Sequence, residues 1–583
     1  MRVKKEKKED HIKRDGFTCC STGGKYHKNY VNKIYTLNID FLNAAELEAG
    51  FMTSFQVYDC DGIVYRGTIE QDFYAFLNSL KMKYNLEKYN KFSKDSVILY
   101  IDNALKAYGF FYTHKTNSFM PYNVEIDNFF EIRSYKLWQK DLENAETAAK
   151  VIQKIVDSVF VPEKHFYLTP NSRTRHLIKE AAKKEECEIA KDIYPENARE
   201  YKRLREALYG GICYCPLPGV IKTQKILGLD IKSAYIYSLL TQRFPMSAAR
   251  KVSPETWEFY MDSPYESSLG IYEITYTTYS NIIHCFKDYT GKKVKNLTSG
   301  QDVKVILTLN DVDLKIFLSL PRVDVSKVTC TYLEVYDNDF LPRYMIDRLV
   351  YEYLQKSRID KNKDPELYAM QKVILNGIYG NTIKKQDLTF YDSLKSKAFM
   401  APQWGIWTTS YTKKHLLGLA LQIEGWLYSD TDSIYCYDTE ENREKLETFN
   451  RDVKKVMTKF CERTGYIHPE LLELGNFELE HEIKKFKALK QKEYLFTTKE
   501  GKLIVKAAGC NKEEMPLNDL LYKMKMLPVG TKRIPLPRKK PADAIIDGVA
   551  YHNECSYYEK IFTEQEALKY MMFLQMMEDE IYD

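Results

Sequence analysis

The chain has 583 residues, enough for about four domains. With 44% hydrophobic and 29% charged residues it can bury a large core, which excludes a mainly disordered chain. Lys plus Arg number 86 against 81 Asp plus Glu, a net +5, which excludes a purely electrostatic nucleic-acid binder but leaves room for a local basic groove.

Twelve cysteines without a CxxC pair exclude a disulfide scaffold and the usual zinc spacings, and imply reduced thiols in a cytoplasmic setting. The charged start MRVKKEKKEDHIKRD lacks the apolar core of a signal peptide, and no apolar run approaches the roughly 18 residues of a membrane helix, so no membrane contact is expected. The 46 tyrosines suit packing and base stacking alike.

In chain order, residues 1–32 form a basic tail. Alternation in Lys33–Asp40 predicts a strand, Phe55–Tyr58 and Gly62–Gly67 a hairpin, and Val97–Ile101 a further strand. Helical spacing of Leu137, Leu142, Ala145, Ala148, Val151, Ile152 and Ile155 completes an α/β domain over 33–185. Lys179–Arg205 is charged and helical. Ile226–Ile231 is a short apolar strand entering a Tyr-rich helix. Phe340–Gly380 is two helices broken near Asp360–Pro365. Trp426–Tyr437 is strand, polar turn, strand, and Glu493–Ala508 holds two more strands. From Cys510 the chain is helical around a basic, Pro-rich stretch.

Four patterns carry chemistry. Tyr428-Ser-Asp430-Thr-Asp432-Ser433 puts two carboxylates at a hairpin tip, where mutual repulsion favours a divalent cation, although an acidic turn can be only a turn. Asp230-Ile-Lys-Ser233-Ala-Tyr235 ends a strand at a helix start, so Asp230 is either an N-cap or a metal ligand. With Asp430 it would supply the carboxylates of a two-metal phosphoryl-transfer site. Lys372, Asn376 and Tyr379 share a helix face suited to a nucleoside triphosphate, with Gly380 as a plausible C-cap. Lys356 and Arg358 end the preceding helix and join the cations. Lys490, Lys492 and Tyr494 on one strand would face one side, either against a nucleic-acid backbone or as an edge protected by lysines.

Together these motifs resemble those of family B DNA polymerases: Dx₂SLYP at Asp230–Ile236, Kx₃NSxYG at Lys372–Gly380, YxDTDS at Tyr428–Ser433 and KxY at Lys492–Tyr494. The length, the short two-helix segment, Val505–Gly509 and the Tyr209-Gly210-Gly211 turn resemble the protein-primed branch of small tailed bacteriophages, whose YxGG tyrosine would fall at Leu208. The resemblance implies an α/β (α+β) right-hand polymerase behind an exonuclease-like (RNase H-like) domain. It divides the chain into the tail, an exonuclease-like domain (33–185), palm (186–245), a palm insertion that could dock a terminal protein (246–336), fingers (337–382), palm (383–508) and thumb (509–583).

It further implies catalysis and metal binding by Asp230, Asp432 and Asp430, with two Mg²⁺ ions for which Mn²⁺ can substitute. Ser233, Tyr235, Lys356, Arg358, Lys372, Asn376 and Tyr379 would bind the dNTP, Tyr235 excluding ribose. Lys490, Lys492, Tyr494, Lys506, Tyr209, Gly210 and Gly211 would hold primer and template. The expected partners are primer–template DNA and a terminal-protein primer, with the enzyme itself a monomer.

Several departures stand out: Ala234 for Leu, Ile236 for Pro and Gly377 for Ser, none of them a metal ligand. The interval from Gly380 to Asp430 leaves little room for the branch's second insertion. In the N-terminal domain only Asp40 and Asp141 keep exonuclease positions; Leu42 and Tyr108 replace acids, with Asp102 out of register. An exonuclease fold without proofreading is expected. The other readings are a catalytically quiet DNA-binding scaffold and a polymerase specialised for repair or template-independent synthesis.

Overall fold

The computed structural model describes residues 170–216, 221–222, 224–278, 302–320, 323–386, 388–507, 542–546 and 549–552, and before residue 170 the backbone of its strands. Two compact units emerge. The first comprises residues 1–176, 358–374 and 532–560; the second comprises 177–357, 375–531 and 561–583. The basic tail, the helix expected over 135–159, Asp102, Tyr108 and Asp141 lie outside the described residues, as does most of 509–583.

In the first unit, β1 (Lys33–Asp40), β2 (Ser54–Asp59), β3 (Gly62–Gly67), β4 (Ser96–Tyr100) and β5 (Phe129–Glu131) form one sheet in the order β3-β2-β1-β4-β5. The first three strands are antiparallel, while β4 runs parallel to both β1 and β5. Parallel neighbours need crossover connections. Asp40 ends β1 opposite Ser54.

The second unit is built on an eight-stranded antiparallel sheet. Its path is β15 (Leu503–Ala507), β14 (Glu493–Thr498), β13 (Phe477–Lys490), β7 (Ile226–Ile231), β12 (Ser433–Tyr437), β11 (Trp426–Thr431) and β6 (Ile212–Tyr214), with Ile221–Lys222 also pairing with β13. Central β7 is buried at Ile226, Leu227, Leu229 and Ile231, hence its unbroken apolar run. A second antiparallel sheet holds β8 (Glu266–Thr278), β9 (Asp302–Asn310) and β10 (Val323–Asp339), with α4 (Asp311–Ser319) between the last two.

Further helices are α1 (Pro170–Lys184), α2 (Ala198–Glu206), α3 (Ala234–Thr241), α5 (Arg343–Arg358), α6 (Pro365–Thr382), α7 (Pro402–Ala420) and α8 (Glu440–Thr464). The two expected helices of 340–380 are α5 and α6, broken at Asp360–Pro365. Gly380 does not cap: α6 continues to Thr382. Helix α7 is nearly all buried, with Trp404 and Trp407 fully inside. It is locked to α4 by Lys413 on Asp313 at 2.7 Å and Trp407 Nε1 donating to Asp311 at 2.8 Å, and to the end of β9 by Asn310 donating to Ser410 at 2.8 Å. With α7 and a short helix at Tyr391–Ser396, the stretch between α6 and β11 shows no strand among its described residues. Among the described residues no helix is long and apolar enough to cross a membrane.

Candidate functional site

Strand pairing assembles the carboxylates. Asp230 on β7 stands opposite Ser433 on β12, Ser433 stands opposite Asp430 on β11, and Asp430 stands opposite Cys213 on β6. Residues directly opposite in a sheet share a face, so Asp230 and Asp430 lie on one face with Ser433 between them. Asp432 is the single residue between β11 and β12. Its carbonyl accepts from the Ile231 backbone N–H at 2.9 Å, and its own N–H donates to the Asp430 carbonyl at 2.8 Å. The tip of the hairpin is thereby tied to the end of β7, beside Asp230. Asp230 is not a helix N-cap: Ser233 holds that place for α3.

Asp430 is heavily engaged. Its Oδ1 accepts from the Cys213 thiol and the Thr431 hydroxyl, both at 3.2 Å, and lies 3.6 Å from Lys492 Nζ. Lys492 is not on a strand with Lys490 and Tyr494, as the alternation suggested. Lys490 ends β13, Lys492 lies in the turn before β14 with φ 64°, and Tyr494 is buried. The turn is fastened by the Lys492 N–H donating to the Tyr428 hydroxyl at 2.7 Å and by Gln491 donating to the Cys213 carbonyl at 2.5 Å. The Tyr494 and Tyr435 hydroxyls meet at 3.1 Å within a buried aromatic cluster that includes Tyr428 and Phe486. Tyr494 therefore packs the site from below instead of offering an exposed ring.

Three of the four non-glycine residues with positive φ among those described converge here: Ser233 (53°), Thr431 (66°) and Lys492 (64°). Left-handed backbone at such residues is uncommon and tends to mark functional sites. Gly211 explains part of Thr431's confinement. A Cβ on Gly211 would meet Thr431 Cγ2 at 2.6 Å and Cα at 2.9 Å, so only glycine lets this turn lie against the hairpin tip. Gly210 has open space around it. Tyr209 is only 3% exposed, and Lys413 Nζ lies 5.5 Å from its ring centroid; it belongs to the core and does not face solvent.

Tyr235 and Tyr379 stack with centroids 4.0 Å apart and planes at 9°. The Tyr379 hydroxyl is paired with that of Thr409 at 2.8 Å. Burial raises the Tyr235 phenol far above its ordinary range, and Tyr379, Asp432 and Asp430 push it further, so it remains a protonated donor. Lys356 donates to the Ser233 hydroxyl at 3.1 Å, joining the end of α5 to the β7–α3 turn. Asn376 is exposed on α6. Arg358 and Lys372, both exposed, belong to the first compact unit. Lys506 lies on β15 opposite Tyr494.

Sequence reasoning missed Cys213, Gln491 and the Tyr428 tether. All three depend on which strands pair, which no local pattern announces. Among the described residues no group of three or more His, Cys, Asp and Glu side chains stands ready to hold a metal ion. The donor set fits Mg²⁺ nonetheless, because Mg²⁺ usually takes one or two carboxylates from protein and the remaining oxygens from phosphate and water.

Residues 145–399 match the family model described as DNA polymerase type B, organellar and viral. Solved structures of Phi29 DNA polymerase share the fold of this chain. The complex with primer-template DNA and incoming nucleotide has a TM-score of 0.57 at 14% identity, covering 86% of this chain and 95% of that one. The binary complex with primer-template DNA gives 0.58 at 15%, covering 83% and 94%. The complex with single-stranded DNA gives 0.55 at 14%, covering 87% and 96%. No curated protein matches the sequence. The family match embraces Asp230, Tyr235 and the whole of α6, and it ends before the Asp430–Asp432 hairpin.

Proposed function

We propose that this chain is a type B DNA polymerase that copies a DNA template by adding dNMP to a primer 3′-hydroxyl or, at initiation, to a hydroxyl of a protein primer. The observation that carries the reading is the tie between Asp432 and the end of β7, which sets the second acid of the hairpin beside Asp230. Two Mg²⁺ ions held by Asp230 and Asp432 would supply charge neutralisation at the attacking and leaving oxygens. Asp430 positions the hairpin, its charge balanced by Lys492. Tyr235, held flat against Tyr379, lies under the sugar of the incoming nucleotide and excludes a 2′-hydroxyl. Lys356 meets the triphosphate, oriented by Ser233. Asn376 lines the nascent pair. Lys492 and Lys506 meet the nucleic-acid backbone beside the Gly210–Gly211 turn.

A terminal-protein primer, a monomeric enzyme working in the cytoplasm and loss of proofreading complete the proposal. The last rests on the missing acids: Asp40 and Asp141 alone cannot hold two metals. Extension of a 5′-labelled primer on a DNA template with Mg²⁺, run with and without dNTPs, tests the reading. Template-length products with dNTPs and an unshortened primer without them are expected. Transfer of labelled dNMP onto a candidate primer protein, with no DNA primer present, tests the initiation step. Trimming of the primer that Asp40→Ala abolishes would overturn the loss of proofreading.

A further inference from the structure

The strands around the acidic hairpin run in the order β7, β12, β11, β6. Asp430 on β11 therefore has Asp230 on one side, beyond β12, and Cys213 of β6 directly opposite it on the other. Three donors reach its carboxylate, and all three reach the same oxygen. The Cys213 thiol and the Thr431 hydroxyl donate to Oδ1 at 3.2 Å, and Lys492 Nζ lies 3.6 Å from it. Among the described residues nothing engages Oδ2, and a quarter of the Asp430 side chain is exposed. An ionised carboxylate accepts on both oxygens and turns easily about its last torsion. Donors gathered on one oxygen therefore decide which oxygen is left facing outward.

Cys213 is itself held in place. Its neighbour Ile212 is fully buried and stands opposite Thr431, and Gly211 gives the chain the close approach to Thr431 that this register needs. The Cys213 carbonyl accepts from Gln491 Nε2 at 2.5 Å, and Gln491 immediately precedes Lys492. The turn that carries Lys492 is thus tied to β6, the strand that carries the thiol. A thiol is a weak donor, but a carboxylate charge strengthens any hydrogen bond it accepts.

We propose that Cys213 is a positioning residue for nucleotide transfer: its thiol holds Asp430 by Oδ1 from the flank of β6, so that Oδ2 is presented across β12 to the side of Asp230. The role rests on the polymerase function proposed for this chain. It assigns the thiol to orienting a carboxylate, and neither to packing nor to chemistry of its own.

Steady-state primer extension and infrared spectroscopy of the full-length protein, the latter without metal or DNA, test it together. Cys213→Ala should lower kcat about three- to tenfold, with KM for dNTP and for primer-template within about twofold and the fold intact by thermal melting. Cys213→Ser keeps a donor and should recover most of the lost kcat. Cys213→Val is close to the thiol in size and suits a strand, yet should not recover it; a packing role would reverse that order. The infrared difference between wild type and Cys213→Ser should contain an S–H band below the frequency of a free thiol, and Asp430→Ala should move that band up. Full kcat in Cys213→Ala, recovery by valine and not by serine, or an S–H band indifferent to Asp430→Ala would overturn the role and leave the polymerase function standing. A wild-type protein that extends no primer would overturn both. Should Cys213→Ala fail to fold, the contrast between Cys213→Ser and Cys213→Val decides.

Discussion

Lys492 Nζ lies 3.6 Å from Asp430 Oδ1, and the Lys492 backbone N–H is held by Tyr428, two residues before that acid. One residue thus fastens the β13–β14 turn to the acidic hairpin twice, by charge and by backbone. Its left-handed φ of 64° makes glycine a clean substitution, removing the cation while suiting the turn. Lys492→Gly should change stability by less than about 1 kcal/mol, because the lysine is half exposed and solvent screens the pair. Primer extension should nevertheless drop, with KM for primer-template rising. Thermal melting and steady-state kinetics separate the two effects, and unchanged kinetics would remove Lys492 from the site.

Asp432→Asn keeps the shape of the hairpin turn and deletes a carboxylate. Loss of several kcal/mol of charge stabilisation corresponds to a fall in kcat of at least about 10²-fold. Primer-template affinity, measured by fluorescence anisotropy, should stay within about threefold. Retained turnover would show that Asp230 and Asp430 suffice.

Tyr235→Val removes the ring stacked on Tyr379. The preference for dNTP over NTP, as the ratio of kcat/KM values in single-nucleotide incorporation, should fall by about tenfold or more. Tyr379→Phe keeps the stack and loses the hydroxyl's bonds to Thr409 and Tyr235, so it should retain most of the discrimination. An unaltered ratio in Tyr235→Val would place the sugar gate elsewhere.

Gly211→Ala forces a methyl against the backbone of Thr431 and should cost about 1–3 kcal/mol, with activity lost through the displaced hairpin. Gly210→Ala, with open space, should stay within about 0.5 kcal/mol. Chemical denaturation of both variants checks the contrast, and equal effects would refute the close-approach account.

His415 on α7 is enclosed by Tyr237, Phe449 and Phe477, and its Nε2 meets the Gly475 carbonyl at 2.8 Å. Burial lowers its pKa from 6.5 to about 4. Between these values the unfolded chain binds the proton and the folded chain does not, so stability is full above about 6.5 and is lost as pH falls towards 4. The loss is on the order of 2–3 kcal/mol. His415→Gln keeps a donor for Gly475 and should flatten this limb of the stability–pH curve measured by urea unfolding.

The amino-acid sequence by itself determined the elements and the chemistry. Alternation placed β1, and short apolar runs placed β7 and the β11–β12 hairpin, because strand period and burial are written locally in residues such as Ile226–Ile231. It marked Asp230, Asp430 and Asp432 because carboxylates at strand ends and in a tight turn are costly without a charge to meet. Only the tertiary structure decided which strands pair, and so that Cys213 lies opposite Asp430. It also turned the supposed lysine stripe into a hairpin with Lys492 at its bend, and it buried Tyr209 and Tyr494. Pairing across more than two hundred residues depends on non-local packing, and a two-residue turn between β13 and β14 resembles continued alternation until the partner strands are known.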